Sequence, residues 1–228
     1  MTVTMPMMSQ VHPERAALTS RSKRAFDIVV AGSALIVLSP LVLLTALFVA
    51  ISFGRPLFHR SYRAGLHAED FLLWKFRTMT NACDAEGNLL SDAERLTKMG
   101  RFIRRLSLDE LPQLFNIVKG NMSIVGPRPL PSIYINRYSA AQRVRLEVRP
   151  GLTGLAQVNG RNNLDWPERL ALDTNYVEQW TFAWDLKIMA QTFGKVLKAD
   201  GVSAEGIATG HEFLGTPTTA ATQEHQAA

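Results

Sequence analysis

A run of 26 residues without a charged side chain, residues 28–53, constrains this chain more than any other feature. As one straight helix the run would be about 39 Å long at about 1.5 Å per residue, whereas the hydrocarbon core of a bilayer is roughly 30 Å thick. The run is therefore long enough to cross a membrane, and the fold of the chain has to accommodate it.

The ends and the middle of the run favour a hairpin over a straight span. Basic residues flank it on both sides, namely Arg21, Lys23 and Arg24 before it and Arg55, Arg60 and Arg63 after it. Such flanks tend to stay on the cytoplasmic side of a membrane, so both ends favour the same side. Ser39 and Pro40 lie near the middle, where the proline bends a helix and the serine hydroxyl can satisfy a carbonyl that the proline frees. We therefore predict a re-entrant membrane helix over residues 21–54.

Two alternatives remain for this segment. A straight span with a kink is one, because proline is tolerated in membrane helices. A cleaved signal peptide is the less favoured one, since its apolar core is roughly 7 to 15 residues long and a small-residue cleavage site follows it. Here the run is longer and continues directly into basic sequence.

The rest of the chain is long enough for one compact domain. We expect this cytosolic domain over residues 55–213, between flexible tails at 1–20 and 214–228 that are polar and lack periodicity. The net charge of +5 fits anionic partners, which include acidic lipid, phosphorylated substrates and nucleic acid. Cys83 is the only cysteine and the five histidines are scattered, which excludes a disulfide framework and a Cys/His zinc site.

The secondary structure predicted for the domain is α+β and mostly helical. Residues 56–60 and 71–79 are short apolar and aromatic stretches typical of a β hairpin, and residues 81–92 have the composition of a surface loop. Helices are predicted over 93–105, 165–180 and 184–197. The last two carry the aromatic and basic residues Trp166, Trp180, Phe182, Trp184, Lys187, Lys195 and Lys198. These helices either lie on lipid headgroups as interfacial amphipathic helices or cover a core with the same aromatics.

The densest group of chemically active side chains lies between residues 101 and 128. Basic residues lead into the adjacent acids Asp109 and Glu110, and Arg128 follows between two prolines. This mixture suits phosphoryl chemistry, in which guanidinium groups hold phosphate oxygens and carboxylates hold Mg²⁺ or attack phosphorus. A structural alternative is that Ser107 and Glu110 form a capping box at a helix start, where Asp109 would remain ionised. Neither a P-loop nor a G-x-S-x-G motif is present.

Six motifs in this order resemble those of the small monotopic phosphoglycosyl transferases, bacterial enzymes that load a sugar phosphate onto polyprenol phosphate. The motifs are Ser39-Pro40, KFRTM at 75–79, LDELPQLFN at 108–116, GPRP at 126–129, RPGLTGLAQVNGRN at 149–162 and LDTNYVEQWTF at 172–182. The resemblance covers about residues 21–213, with unremarkable spacing. It implies a catalytic domain that follows a re-entrant helix at the cytoplasmic face of the bacterial inner membrane.

The resemblance also implies a two-step reaction. Asp109 is expected to attack the sugar-linked phosphorus of a UDP-sugar, releasing UMP, and polyprenol phosphate then takes the phosphosugar from the carboxylate. Asp109 and Glu110 would hold Mg²⁺, while Lys75, Arg104 and Arg128 would bind phosphate oxygens. Weaker candidates for substrate contacts are Arg77, Arg105, Gln113, Arg149 and Arg161. For the first three, the alternative is a structural salt bridge or hydrogen bond. For Arg149 and Arg161, the alternative is that the surrounding glycine and proline residues only form turns and that this segment makes no contact with the nucleotide.

Two other classes of protein remain as alternatives. One is a membrane-anchored basic module that binds anionic lipid or nucleic acid, for which affinity would fall steeply with salt. The other is a lipid-diphosphate hydrolase, which would use similar arginines without consuming a UDP-sugar. The resemblance instead implies UDP-sugar, polyprenol phosphate and membrane lipid as partners, no nucleic acid, and a donor with an N-acetylated amino sugar.

Overall fold

The computed structural model describes residues 18–160, 164–198 and 212–215. Its helices are α1 (Arg21–Val37), α2 (Ser39–Phe53), α3 (Asp92–Arg95), α4 (Lys98–Arg105), α5 (Gln113–Lys119), α6 (Leu155–Asn159), α7 (Trp166–Glu178) and α8 (Phe182–Lys198). Its strands are β1 (Phe58–Ala64), β2 (Asp70–Phe76), β3 (Ser123–Val125) and β4 (Gly151–Thr153). This order confirms the mostly helical α+β fold and the short β hairpin.

The apolar run forms two helices that are bent by 63° at Leu38. Pro40 has no N–H for the carbonyl of Ile36, and the hydroxyl of Ser39 donates to that carbonyl at 2.8 Å instead. The predicted break is thus present, with the predicted compensation by serine. Among the described residues, no helix taken singly is long and apolar enough to cross a membrane, whereas α1 and α2 together pass that test.

Buried polar contacts fix α1 to the rest of the protein. The ammonium of Lys23 lies 2.8 Å from Asp27 and 2.9 Å from Asp185 of α8, and all three side chains are almost fully buried. Asp27 also accepts from the Ser123 hydroxyl at 2.8 Å and from the Ile124 N–H at 3.2 Å. The start of the bent pair is therefore held against β3 and α8 by groups that would be costly to leave unpaired.

Beyond this anchor, much of the bent pair is uncovered. Large apolar side chains on both helices face outward, with Ile36 77% and Ile51 75% exposed. Contiguous apolar surface of this kind marks an interaction site.

The β hairpin has different limits from those predicted. β1 pairs with β2 in antiparallel register, with His59 opposite Lys75 and Ala64 opposite Asp70. The turn includes His67 and Ala68, which both have positive φ. The prediction ended the first strand too early because it followed apolar residues alone. Residues 59–63 are polar or exposed, since this part of β1 lies at the surface.

The single helix predicted over residues 93–105 is wrong, because two helices occupy this stretch. α3 ends at Arg95, and the Thr97 hydroxyl caps α4 by accepting from the N–H of Gly100 at 3.0 Å. Between them, Leu96 pairs with Met79 in an isolated bridge and is buried. The tertiary contact of Leu96 thus interrupts a helix that the local pattern favoured.

The two C-terminal helices agree closely with the predicted ranges, and core packing accounts for only some of their aromatics. The ring of Trp166 lies 5.7 Å from that of Tyr134 and 5.2 Å from that of Phe213, within a small core. Phe182 is 43% exposed and contacts Phe26 of α1 edge to face. Core packing therefore accounts for Trp166 but not for the outer face of Phe182.

Glycines bring the GPRP segment against β4. β3 and β4 are parallel, with Val125 opposite Thr153. A Cβ on Gly126 would lie 2.6 Å from the carbonyl of Arg149, and one on Gly154 would collide with the carbonyl of Gly126. The backbones therefore touch, and this close approach explains why glycine occupies both motifs.

Candidate active site

The two acids lie on a 3₁₀ turn, Leu108–Glu110, between α4 and α5. Ser107 precedes the turn with φ of 55°, a left-handed conformation, and its side chain makes no capping bond. The capping box considered from the sequence is therefore not formed. α5 begins only after Pro112, so both acids lie before the helix rather than at its first turn.

Two cations contact Glu110 directly. The ammonium of Lys75 lies 2.6 Å from its Oε1, and Nη2 of Arg128 lies 2.9 Å from the same oxygen. Asp109 is paired less closely, since its Oδ2 is 3.9 Å from the Lys75 ammonium. The predicted group of Asp109, Glu110, Lys75 and Arg128 is thus brought together from three separate segments.

The two carboxyl groups have opposite electrostatic environments. Burial raises the pKa of Asp109, Lys75 opposes this shift, and the charge of Glu110 adds to it. Burial would also raise the pKa of Glu110, but Lys75 and Arg128 outweigh it and hold that pKa well below its usual range. Glu110 is therefore ionised at neutral pH, whereas the ionised form of Asp109 is less favoured than expected for an acid at a helix start.

Arg104 completes the cationic surroundings of Asp109. Its Nε donates to the hydroxyl of Thr78 at 2.9 Å, and its positive charge lowers the pKa of Asp109. Thr78 is buried and belongs to the KFRTM motif. The end of α4 and the end of β2 therefore hold Arg104 beside the acids, as its predicted phosphate-binding role requires.

A buried pair behind Arg128 was not found from the sequence. Nη2 of Arg145 donates to the backbone carbonyl of Arg128 at 2.6 Å and to Asp173 at 3.0 Å, and its Nη1 donates to the Tyr138 hydroxyl at 2.7 Å. Arg145 and Asp173 are 4% and 1% exposed. Arg145 therefore fixes the backbone that carries Arg128. Asp173 belongs to the LDTNYVEQWTF motif, and this motif was the sequence feature that could have indicated the pair.

Arg63 extends the positive surface along the hairpin, and His59 lies on the same face of β1. Burial lowers the pKa of His59, and the charges of Arg63 and Lys75 lower it further. Burial and then the charge of Arg128 likewise lower the pKa of Arg63. Strand alternation places both residues on the face of Lys75, a relation that the register of the predicted hairpin could have revealed.

Two of the weaker candidates bind backbone carbonyls in the structure. Arg77 donates to the carbonyls of Met79, Arg55 and Phe53, so it ties the end of α2 to the hairpin. Arg149 donates to the carbonyl of Gly120, just beyond the end of α5 that is remote from the acids. These contacts favour a structural role over substrate contact for both arginines.

The remaining weaker candidates are less informative. Arg105 is exposed at the end of α4, and Gln113 is buried at the start of α5 near the acids. Arg161 lies outside the described residues.

The acids are suited to Mg²⁺ that is shared with a substrate. Within the described residues, no group of three or more His, Cys, Asp or Glu side chains could hold a metal by itself. Mg²⁺ is usually held by one or two carboxylates together with substrate phosphates. Both cation contacts of Glu110 use Oε1, so its Oε2 and the Asp109 carboxylate are the oxygens that would hold the ion.

The sequence model of the bacterial sugar transferase family matches residues 18–199. The match includes the acids, their cations and the bent helix pair. The chain belongs to this family.

Curated relatives agree with this assignment. The sugar transferase EpsL of Bacillus subtilis is 47% identical over 194 residues, which is 85% of this chain and 96% of the relative. The undecaprenyl-phosphate galactose phosphotransferase of Salmonella typhimurium is 40% identical, and the alignment covers 86% of this chain and 44% of the relative. The UDP-glucose:undecaprenyl-phosphate glucose-1-phosphate transferase of Caulobacter vibrioides is 39% identical, covering 78% of this chain and 70% of its own length. They confirm that this bacterial sugar transferase is an enzyme of the phosphoglycosyl transferase class.

Proposed function

We propose that this transferase moves a sugar 1-phosphate from a UDP-sugar to polyprenol phosphate, with release of UMP. One observation carries the proposal. A buried carboxylate, Asp109, lies beside Glu110 within a group of cations able to hold a pyrophosphate. The names of the Salmonella and Caulobacter relatives support the donor and acceptor classes.

In the first step, a carboxylate oxygen of Asp109 attacks the sugar-linked phosphorus. The bond from this phosphorus to the oxygen that bridges to UMP breaks, and UMP leaves with the electron pair. Lys75, Arg104 and Arg128 reduce the repulsion between carboxylate and pyrophosphate, which share the same sign of charge. Mg²⁺ held by both acids would supply further neutralisation of the phosphate oxygens.

In the second step, a phosphate oxygen of polyprenol phosphate attacks the same phosphorus. The acyl phosphate bond to Asp109 breaks, and the free carboxylate returns as polyprenol diphosphate sugar forms. Ionised Glu110 positions Lys75 and Arg128 for both steps, because both cations contact its Oε1. The same side chains thus serve both displacements.

The experiment measures UMP release from a panel of UDP-sugars with polyprenol phosphate present. Asp109→Asn should lower turnover more than about a hundredfold, a barrier increase of roughly 2.7 kcal/mol, because an amide is a poor nucleophile. Asp92→Asn, at a half-buried acid of α3 that pairs with Arg95 at 3.5 Å, is the matched control and should retain activity. Mass spectrometry of enzyme with UDP-sugar alone should find a phosphosugar on Asp109.

The panel also separates the alternatives. A binding module would release no UMP, and a lipid-diphosphate hydrolase would release phosphate from a lipid diphosphate without consuming donor. Residues 154–162 and 201–216 carry the resemblance to enzymes that use N-acetylated amino sugars, and the second segment lies mostly outside the described residues. Because two relatives are named for galactose and glucose, UDP-galactose and UDP-glucose belong in the panel with the N-acetylated donors.

For the membrane, we propose that α1 and α2 form a re-entrant hairpin at the cytoplasmic face of the inner membrane, where surface polysaccharide synthesis begins. The 63° bend and the exposed apolar side chains support it. Cysteines placed at Ser9 and Ser91 in a Cys83→Ser background should both resist a membrane-impermeant reagent in intact cells. Labelling at position 9 alone would show a straight span.

A further inference from the structure

A cavity of about 280 Å³ lies between the edge of β2 and α5. Its lining residues are Phe58, Trp74, Pro112, Phe115, Asn116 and Lys119. Pro112, which lines the cavity, follows Glu110 by two residues, so the cavity lies near the turn that carries the acids. The Trp74 side chain points to the face of β2 opposite that of Lys75. No role in the two displacements uses this space.

The wall of the cavity is apolar, although an asparagine belongs to it. The amide of Asn116 accepts from the N–H of Trp74 at 3.2 Å and donates to the carbonyl of Leu72 at 2.8 Å. Its polar atoms thus serve the edge of β2. The rings of Phe58 and Trp74 lie 5.5 Å apart, and Phe115 is 51% exposed at the opening.

The two sides of the cavity meet different parts of the protein. On one side is the turn that carries Asp109 and Glu110. On the other, Phe58 packs against the cluster formed with Val49 and Phe53 of α2. A molecule that reaches from the acids to the bent helix pair would therefore pass along this wall.

Cations lie over the aromatic wall. The Arg60 guanidinium and the Lys119 ammonium each lie 5.4 Å from the Trp74 ring. The surroundings of the cavity are thus apolar within and positive at the rim. This distribution matches an amphiphile that has an anionic head and a hydrocarbon tail.

We propose that this cavity binds the first isoprene units of the polyprenol phosphate acceptor, an assignment that rests on the proposed function. An apolar cavity of roughly 150 Å³ can hold a benzene ring, so about 280 Å³ has room for about ten carbon atoms, which is two isoprene units. With these units in the cavity, the phosphate head lies beside Asp109, and the remaining isoprene units extend toward α2.

Uracil is the other flat group that could stack on these rings. Its polar edge needs hydrogen-bond partners, and burying it without them is costly. The one amide in the lining already binds the backbone of Leu72 and Trp74. A hydrocarbon incurs no such cost, which favours the acceptor tail over the nucleobase.

The test uses geranyl phosphate, a soluble acceptor with two isoprene units, and dimethylallyl phosphate, which has one. Phe115→Ala should raise the KM for geranyl phosphate about tenfold, because it removes part of an apolar contact. The KM for the UDP-sugar and the amount of donor-dependent adduct should not change. Phe193→Ala, which removes a 67% exposed ring on α8 away from the cavity, is the matched control and should leave both KM values unchanged.

The advantage of two isoprene units over one should also shrink in Phe115→Ala, whereas a general loss of membrane affinity could not produce this change with soluble acceptors. An unchanged KM for geranyl phosphate would overturn the assignment. A higher KM for the donor alone would place the nucleobase in the cavity instead. Failure of the unmodified enzyme to release UMP with any acceptor would overturn the proposed function itself, a result distinct from both.

Discussion

Replacing Arg128 by lysine tests whether the geometry of its guanidinium matters in addition to its charge. Arg128 contacts Glu110 through Nη2 at 2.9 Å, and Arg145 binds its backbone carbonyl at 2.6 Å. A guanidinium has five N–H donors in a planar fork, whereas an ammonium is a point charge. Lysine can therefore keep the pair with Glu110 or reach a phosphate oxygen, but it cannot reproduce both contacts in one plane.

The size of the effect follows from the contact that is lost. One hydrogen bond between a charged donor and a phosphate contributes about 1.5 to 3 kcal/mol, so kcat/KM should fall roughly 10- to 150-fold. Stability should change little, because the Arg128 side chain is 40% exposed and such a pair contributes about 1 kcal/mol or less. The melting temperature should therefore fall by no more than about 4 °C.

The assay is UMP release under single-turnover and steady-state conditions, with thermal unfolding measured on the same samples. Arg137→Lys is the control, since Arg137 forms an ion pair with Glu212 on a partly exposed part of the surface. That variant should keep kcat/KM. A fall of less than threefold in Arg128→Lys would refute the fork argument and leave Arg128 with only a general electrostatic role.

Three further results are expected. On the acidic side of the pH profile, kcat/KM should fall with an apparent pKa above the usual aspartate value, because ionised Asp109 is required and the pKa of Asp109 is raised. Glu110→Gln removes a negative charge beside Asp109, so the apparent pKa of the residual activity should shift to lower pH. Pro40→Ala restores a backbone N–H at the bend, so a fraction of molecules should show the labelling pattern of a straight span. Gly154→Ala should lower stability by about 2 kcal/mol in thermal unfolding through backbone overlap, whereas Gly194→Ala, with open space around it, should not.

Local sequence patterns predicted the features that depend on neighbouring residues. The break at Ser39-Pro40 follows from proline's missing N–H, and the structure shows the serine compensating for it. The helices over 165–180 and 184–197 were recognised because their apolar spacing is regular, and the structure shows that Asp165 caps the first of them. The acids were found because two adjacent carboxylates among arginines are unusual in a short segment.

Contacts between distant segments decided what local patterns missed. Leu96 interrupts a helix because it pairs with Met79, which nothing near residue 96 indicates. Arg145 is one of several arginines in its segment, and only the fold brings it to Asp173 and to the carbonyl of Arg128. The sequence does not distinguish a charged residue that becomes buried from one that stays in water. A buried ion pair can therefore be identified only once the burial of its residues is known.

The same limit applies to the choice between the two acids, which the dipeptide Asp109-Glu110 cannot make. Successive residues of a 3₁₀ turn point roughly 120° apart, so adjacent carboxylates enter different surroundings. Glu110 is directed to Lys75 and Arg128, and the charge on its Oε1 is already neutralised by both. Asp109 is buried, and its Oδ2 lies 3.9 Å from the Lys75 ammonium. Its raised pKa means that neighbouring groups stabilise its ionised carboxylate less than they stabilise that of Glu110. Paired acids whose environments separate their pKa values in this way divide the work between them. In the proposed mechanism, Glu110 therefore organises the cations and Asp109 forms the bond to phosphorus.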